Sequence, residues 1–188
     1  MFEFQPELAG QLVLMRPLRD QDFAALYALA ADPLLWEQHP NPERATEKGF
    51  QAYFEDQLAS GGAMVAINKV DGLPVGMSRY SVAFTDPDEV EIGWTFIGRR
   101  YWGGIYNRDI KQTMLAHAFR FVKTVIFRIA EHNLRSRRAV EKLGARLDAR
   151  EQINTAGPAP VRFAFYVLTW EMFAENASRP PEKTDASS

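Results

Sequence analysis

The chain has 188 residues, 46% of them hydrophobic, which is enough for one domain with a substantial buried core. Its 22 lysines and arginines against 24 acidic residues give no global charge excess that would select nucleic acid or a membrane surface. The absence of cysteine excludes disulfides, thiolate–metal sites and a cysteine nucleophile, and His39, His117 and His132 have no metal-ligand spacing.

Residues 1–6, Met-Phe-Glu-Phe-Gln-Pro, carry neither a basic segment nor an apolar run of signal-peptide type. No stretch of about 18 apolar residues suggests a membrane span, so a cytoplasmic protein is expected. Residues 11–18 read as a first strand, ended by Pro17. Asp20 is placed to cap a helix with Phe23, Leu26, Tyr27 and Ala30 on one face, broken at Asp32-Pro33. The loop 34–42 is rich in recognition-type residues, among them Trp36, Glu37 and His39. Thr46 caps a second helix carrying Phe50, Tyr53, Phe54 and Leu58, which stops at Ser60-Gly61-Gly62. Strands are predicted over 63–69 and 74–84, joined at Asp71-Gly72, followed by a turn at Asp86-Pro87-Asp88.

The run Val90-Glu91-Ile92-Gly93-Trp94-Thr95-Phe96 alternates as a strand does, with Glu91 opposite the apolar side chains of Val90, Ile92, Trp94 and Phe96. A basic, glycine-containing loop follows, Arg99-Arg100-Tyr101-Trp102-Gly103-Gly104-Ile105-Tyr106-Asn107, and then helical spacing at Ile110, Met114, Leu115, Ala118, Phe119 and Val122. A strand, a glycine loop and a helix N-terminus together make an anion site. The first helical turn has unpartnered N–H groups at the positive end of the macrodipole. Gly103 and Gly104 allow close approach, and Arg99 and Arg100 add planar cationic donors. The alternative for the loop alone is an ordinary surface turn.

Residues 124–130 read as a strand. Asn133 then caps a helix with Ala139, Val140 and Leu143, ended by Gly144. Strands over 146–153 and 161–171 flank a turn at residues 155–158, and the polar tail 176–188 is expected to be disordered. The domain proper is therefore residues 1–175, an α/β (α+β) unit. Hairpins before a strand–helix–strand crossover imply a mixed sheet with helices on both faces.

This order, the loop at 99–107 and the segment from Asn133 to Gly144 together resemble the GNAT acyltransferase superfamily over residues 10–172. The Asn133 helix with its Lys142-Leu143-Gly144 ending is similar to the family signature. Ser136-Arg137, and the opening Leu14-Met15-Arg16-Pro17-Leu18-Arg19-Asp20, are similar to its RimJ/RimL-like branch, which includes ribosomal-protein N-terminal alanine acetyltransferases. The resemblance implies a mostly antiparallel seven-stranded sheet, splayed at the strand before the loop. It also implies acetyl-CoA as co-substrate, with no metal.

In that frame the pyrophosphate lies on Arg99, Arg100, Gly103, Gly104, Ile105, Tyr106 and Asn107, and the pantetheine arm meets the backbone of Trp94, Thr95 and Phe96. Ile105 departs from the small residue of the family pattern; the contact is a backbone N–H, which survives if the side chain points into the core. Asn133 corresponds to the asparagine that contacts the cofactor arm, and also suits a plain N-cap. Val140 stands where many members have a tyrosine acid, while Ser136 corresponds to a serine near the sulfur or is simply a solvent-facing first-turn residue.

Glu91 is the candidate base, if partial burial raises its pKa, against a structural ion pair with Arg79. Glu37, His39, Glu131 and His132 are alternatives. Trp36, His39, Trp94 and Tyr166 are placed in the acceptor pocket, with Trp36 also suited to the core. The acceptor is then an amine, on a small molecule or a peptide N-terminus, reacting by direct attack on the thioester. Nucleic acid and membrane are not expected partners, and a homodimer is compatible with the pattern. A non-catalytic acyl-CoA sensor is the alternative function. A P-loop nucleotide protein is excluded by the lack of Gly-Lys-Ser/Thr after the glycines.

Overall fold

Most strands have an apolar face to bury, and α2 and α4 start where the sequence supplies a side-chain cap. The computed structural model describes residues 1–155 and 159–177, excepting the side chain of Ala177. Its elements are β1 (Leu8–Ala9), β2 (Val13–Pro17), α1 (Phe23–Ala30), α2 (Glu47–Ala59), β3 (Ala63–Asn68), β4 (Pro74–Ser81), β5 (Glu89–Ile97), α3 (Ile105–Ala118), β6 (Thr124–Ala130), α4 (Leu134–Glu141), β7 (Arg146–Asn154), β8 (Val161–Thr169) and α5 (Trp170–Ala177). The strands form one sheet in the order β1-β2-β3-β4-β5-β6-β8-β7. Only β5 and β6 run parallel; every other neighbouring pair is antiparallel.

Thr46 Oγ1 accepts the N–H of Gly49, and Asn133 Oδ1 accepts that of Ser136, so both expected caps form. Asp20 does not cap. The carboxylate of Asp22 instead accepts the N–H of Arg19 and pairs with Arg16 at 2.7 Å, opening the helix with a 3₁₀ turn. The eighth strand is the two-residue β1, too short for alternation to register. The last strand ends at Thr169, two residues earlier than expected, and continues as α5 because Trp170 and Phe173 turn to pack on Phe119 at 5.9 and 5.7 Å. Asn176, placed in the tail by the sequence reading, is helical and donates to the Lys142 carbonyl. The rest of the tail beyond Ala177, and residues 156–158 of the expected turn, lie outside the described residues.

The sheet separates two cores. On one face Ile110, Met114 and Leu115 of α3 meet Val90, Ile92, Val125, Phe127 and Tyr166, with Val140 of α4 and Met172 of α5 joining them. On the other, α1 and α2 cover the N-terminal half with Leu26, Phe50, Tyr53 and Phe54 against Val65, Met77 and Phe96. Among the described residues no helix is long and apolar enough to cross a membrane. The start of β2 is tied to α3 by buried Asp109, whose carboxylate accepts the N–H groups of Gln11, Leu12 and Val13 at 2.7–3.0 Å. Asp109→Ala would strand those donors, and is expected to lower unfolding free energy by about 2 kcal/mol or more in urea denaturation.

Candidate active site

Between β4 and β5 the register pairs Met77 with Phe96 and Arg79 with Gly93, so Ser78 alone faces both Trp94 and Thr95. This is a β-bulge, and Trp94 takes a left-handed φ of 50°. The extra residue reverses the alternation predicted for this strand. Val90, Ile92 and Ile97 belong to the α3 core, whereas Trp94 and Phe96 face the α1–α2 core. The bulge is held from both faces. The Tyr53 hydroxyl donates to the Trp94 carbonyl at 2.7 Å. Opposite, Lys111 Nζ donates to Thr95 Oγ1 at 2.6 Å and Ser78 Oγ at 3.3 Å, and both hydroxyls reach the Gly93 carbonyl. Burial raises the Tyr53 phenol to about 12 and draws the Lys111 amine down to about 7, the latter opposed by the charge of Glu91.

Next to the bulge the sheet opens. β5 and β6 pair only from Glu89–Thr124 to Glu91–Ile126, after which β6 continues with β8 as far as Ala130. Beyond Glu91, β5 has no strand partner on that side among the described residues. Because the two strands run parallel, the loops that leave them, at 98–104 and 131–133, flank the open end.

The first loop sets up α3 as expected. Gly103 and Gly104 have φ of 108° and 96°, where a side chain would be strained, and nothing lies within 4 Å of where a Cβ would stand on either. Gly104 is the N-cap and offers no side-chain cap, leaving the first-turn amides of Ile105, Tyr106 and Asn107 available at the positive end of a 14-residue helix. Ile105 does not turn into the core; it is 62% exposed at the rim. Its amide remains in the first turn all the same. Arg99 is paired with Asp32 at 3.2 Å, Arg100 lies over the Tyr101 ring and Tyr106 packs on Tyr101. The second loop delivers Asn133 and Ser136 to the start of α4. Asn133 Oδ1 is spent on the cap. Arg135, which the sequence reading passed over, links the parts: its guanidinium stacks on Trp102 at 4.2 Å and donates to the Leu35 carbonyl at 2.9 Å.

On the α2 face of β5, Glu91 is 1% exposed and lies 3.5 Å from Arg128, not beside Arg79. Arg79 is drawn toward α2, where it meets Asp56 at 3.2 Å and stacks on Trp94 at 4.1 Å. Arg128 in turn lies over Phe84 and Phe163, at 3.9 and 4.9 Å, and bonds Gln152. Burial pushes the Glu91 carboxyl up, against the pull of Arg128, Arg79 and Lys111, and its Oε2 has no hydrogen-bond partner.

Three expected pocket residues are tied into the fold by their own contacts. Trp36 is buried, its indole N–H bonded to the Ala30 carbonyl and its ring packed on Phe96. His39 Nδ1 accepts the Asn41 N–H, and burial with the adjacent Arg44 holds its pKa at about 3, too low for a base at neutral pH. Tyr166 faces α4, where its hydroxyl accepts from Arg137 and donates to Glu141. Trp94 stands at the bulge, and His39 lies within electrostatic reach of His132 in the loop beside the opening.

A bulged strand, a parallel pair that parts beside it and an uncapped helix N-terminus at the open end form the frame onto which residues 13–146 match the model of the acetyltransferase (GNAT) domain. The chain belongs to the GNAT acetyltransferase family. The GNAT fold is also seen in solved relatives. A GCN5-related N-acetyltransferase from Brucella melitensis superposes with a TM-score of 0.79 at 18% identity, covering 97% of this chain and 89% of that one. The GNAT-family acetyltransferase from Bacillus anthracis gives 0.73 at 18% identity, covering 88% and 99%. RimJ of Mycobacterium smegmatis, in complex with CoA-disulfide, gives 0.65 at 17%, covering 91% of each.

Tyr53, Lys111, Arg128 and Arg135 stand around the bulge and the loops beside it, and no sequence pattern singled them out for a site. Helical periodicity assigns Tyr53 to the core, and Lys111 is a cation on a face of α3 that otherwise reads as solvated or apolar. The low pKa of His39 gives a testable consequence. A group depressed in the folded state contributes stability that is complete above the unfolded value near 6.5 and is lost as pH falls toward about 3. In pH-dependent denaturation, His39→Gln is therefore expected to flatten the acid side of the profile, removing up to about 1.4 kcal/mol per pH unit in that window.

Proposed function

We propose that this GNAT enzyme transfers an acetyl group from acetyl-CoA to an amine, on a small molecule or a peptide N-terminus, by direct attack on the thioester. The observation that carries the reading is the parting of β5 and β6 beside the Trp94 bulge, opening toward the uncapped N-terminus of α3. Backbone groups of Trp94, Thr95 and Phe96 suit an extended amide-bearing arm lying as an extra strand. The amides from Gly103 to Asn107, with Arg99 and Arg100, suit a pyrophosphate. The Asn133 side-chain amide suits a contact with the arm, and the Ser136 hydroxyl in the first turn of α4 suits the leaving sulfur.

Attack requires a neutral amine, a polarised carbonyl and a stabilised thiolate. Glu91, whose carboxylate burial makes more basic, is the group suited to take the amine proton through water, its Oε2 being without a partner among the described residues. Arg128 holds its other oxygen. Trp94 and the aromatic rings around Arg128 form an apolar wall for the acceptor. Branch features at Ser136-Arg137 and the first strand favour a RimJ/RimL-like acceptor preference and a cytoplasmic setting.

Saturating acetyl-CoA is expected to raise the melting temperature, and Gly103→Glu, which adds a negative side chain at a positive-φ position in the loop, to abolish that shift. Absence of a shift in the wild-type protein would contradict the reading. Glu91→Gln is expected to lower kcat by about 10²-fold or more while acetyl-CoA affinity changes little, measured as thiol release with any acceptor found in an amine and peptide panel. Acetyl-CoA binding with no product across the panel would point to an acyl-CoA sensor.

A further inference from the structure

Lys111 is a buried ammonium with no carboxylate in contact. It is 5% exposed, and among the described residues its Nζ donates to the hydroxyls of Thr95 and Ser78 alone. Phe127 of β6 lies 5.8 Å away. The amine thus sits on the α3 side of the place where β5 and β6 part, between a bulge residue of one strand and a ring of the other. Two acceptors leave one of its three protons unspent.

A lysine in such a position needs a reason. A buried charge without a partner is costly, and an apolar side chain would fill the floor of the gap more cheaply. The surrounding charges do not supply the reason. Glu91 on β5 favours the ammonium, but from the opposite face of the sheet, where Arg79 and Arg128 act on Glu91 itself. From its own face Lys111 meets Ser78 of β4, Thr95 of β5 and Phe127 of β6, none of them charged. Burial draws the amine to about 7, so its charge at neutral pH is one that an anion arriving nearby would strengthen.

We propose that Lys111 is a positioning residue of the transfer site, held by Thr95 and Ser78 so that its charge stabilises the coenzyme A thiolate expelled beside the bulge. The proposal rests on the reading of the β5–β6 gap as the coenzyme A arm site. It assigns the bulge two tasks: aiming β5 backbone at the thioester, and anchoring through Thr95 the cation that receives the developing negative charge.

The test needs no acceptor. The thiol of CoA bound to the protein is titrated by its ultraviolet thiolate absorbance, with desulfo-CoA as blank. In the wild-type protein the thiol is expected to ionise about one pH unit or more below free CoA. Lys111→Met is expected to abolish that shift while CoA affinity stays within about threefold of wild type. Thr95→Val, which removes the 2.6 Å anchor but leaves the lysine, is expected to lose part of the shift and supplies the comparison if Lys111→Met does not fold. An unshifted thiol in wild type, or the same shift in wild type and in whichever variant folds, overturns the proposal while leaving the coenzyme A reading intact. Failure of CoA to bind the wild-type protein overturns both.

Discussion

The Tyr53 hydroxyl on one face and the Lys111–Thr95–Ser78 hydrogen bonds on the other hold Trp94 in a left-handed conformation within a central strand. A non-glycine residue with positive φ in a strand costs on the order of 1 kcal/mol or more, and persists only where its surroundings over-determine it. Here that overdetermination has a structural result. The extra residue turns Trp94 and Phe96 to the α2 core. In the same stretch β5 and β6 cease to pair. A strand edge is left inside the sheet there, with backbone groups not paired to another strand.

Charge follows the same division. On the α2 face a buried carboxylate, Glu91, is balanced by Arg128 and by Arg79 at greater range; on the α3 face Lys111 has only hydroxyls. The two groups influence each other across one strand: Glu91 holds up the Lys111 amine and Lys111 holds down the Glu91 carboxyl. Acetyl transfer to an amine releases a proton and expels a thiolate. A weakened acid on one side of β5 and a marginal ammonium on the other are suited to those two events. Tight local anchoring keeps both near the bulge without placing them in contact.

Much of this was legible in the residues. The strand, glycine loop and helix around Gly103 and Gly104 formed as their chemistry requires, and Thr46 and Asn133 capped their helices. What eluded the pattern has identifiable causes. Period-two alternation cannot reveal a bulge, because Trp94 and Phe96 are apolar and suit either core. The partner of Glu91 depends on strand order: Arg79 is adjacent through the β4–β5 hairpin, whereas Arg128 arrives only through the parallel crossover. Trp36, His39 and Tyr166 looked like recognition residues because amphipathic aromatics serve cores and pockets equally, and their hydrogen-bond partners come from segments that sequence spacing cannot relate. The helix α5 packs on Phe119 and opens at Thr169, whose Oγ1 accepts the Met172 N–H; the apolar run through Trp170 hides that start inside the last strand.

The account is tested most directly by the crystal structure of the protein with CoA. It predicts the pantetheine arm lying between β5 and β6, hydrogen-bonded to the main chain of residues 94–96, with the pyrophosphate on the amides at the start of α3. CoA bound elsewhere, or a complex in which β5 and β6 close into a continuous parallel pair, would contradict it.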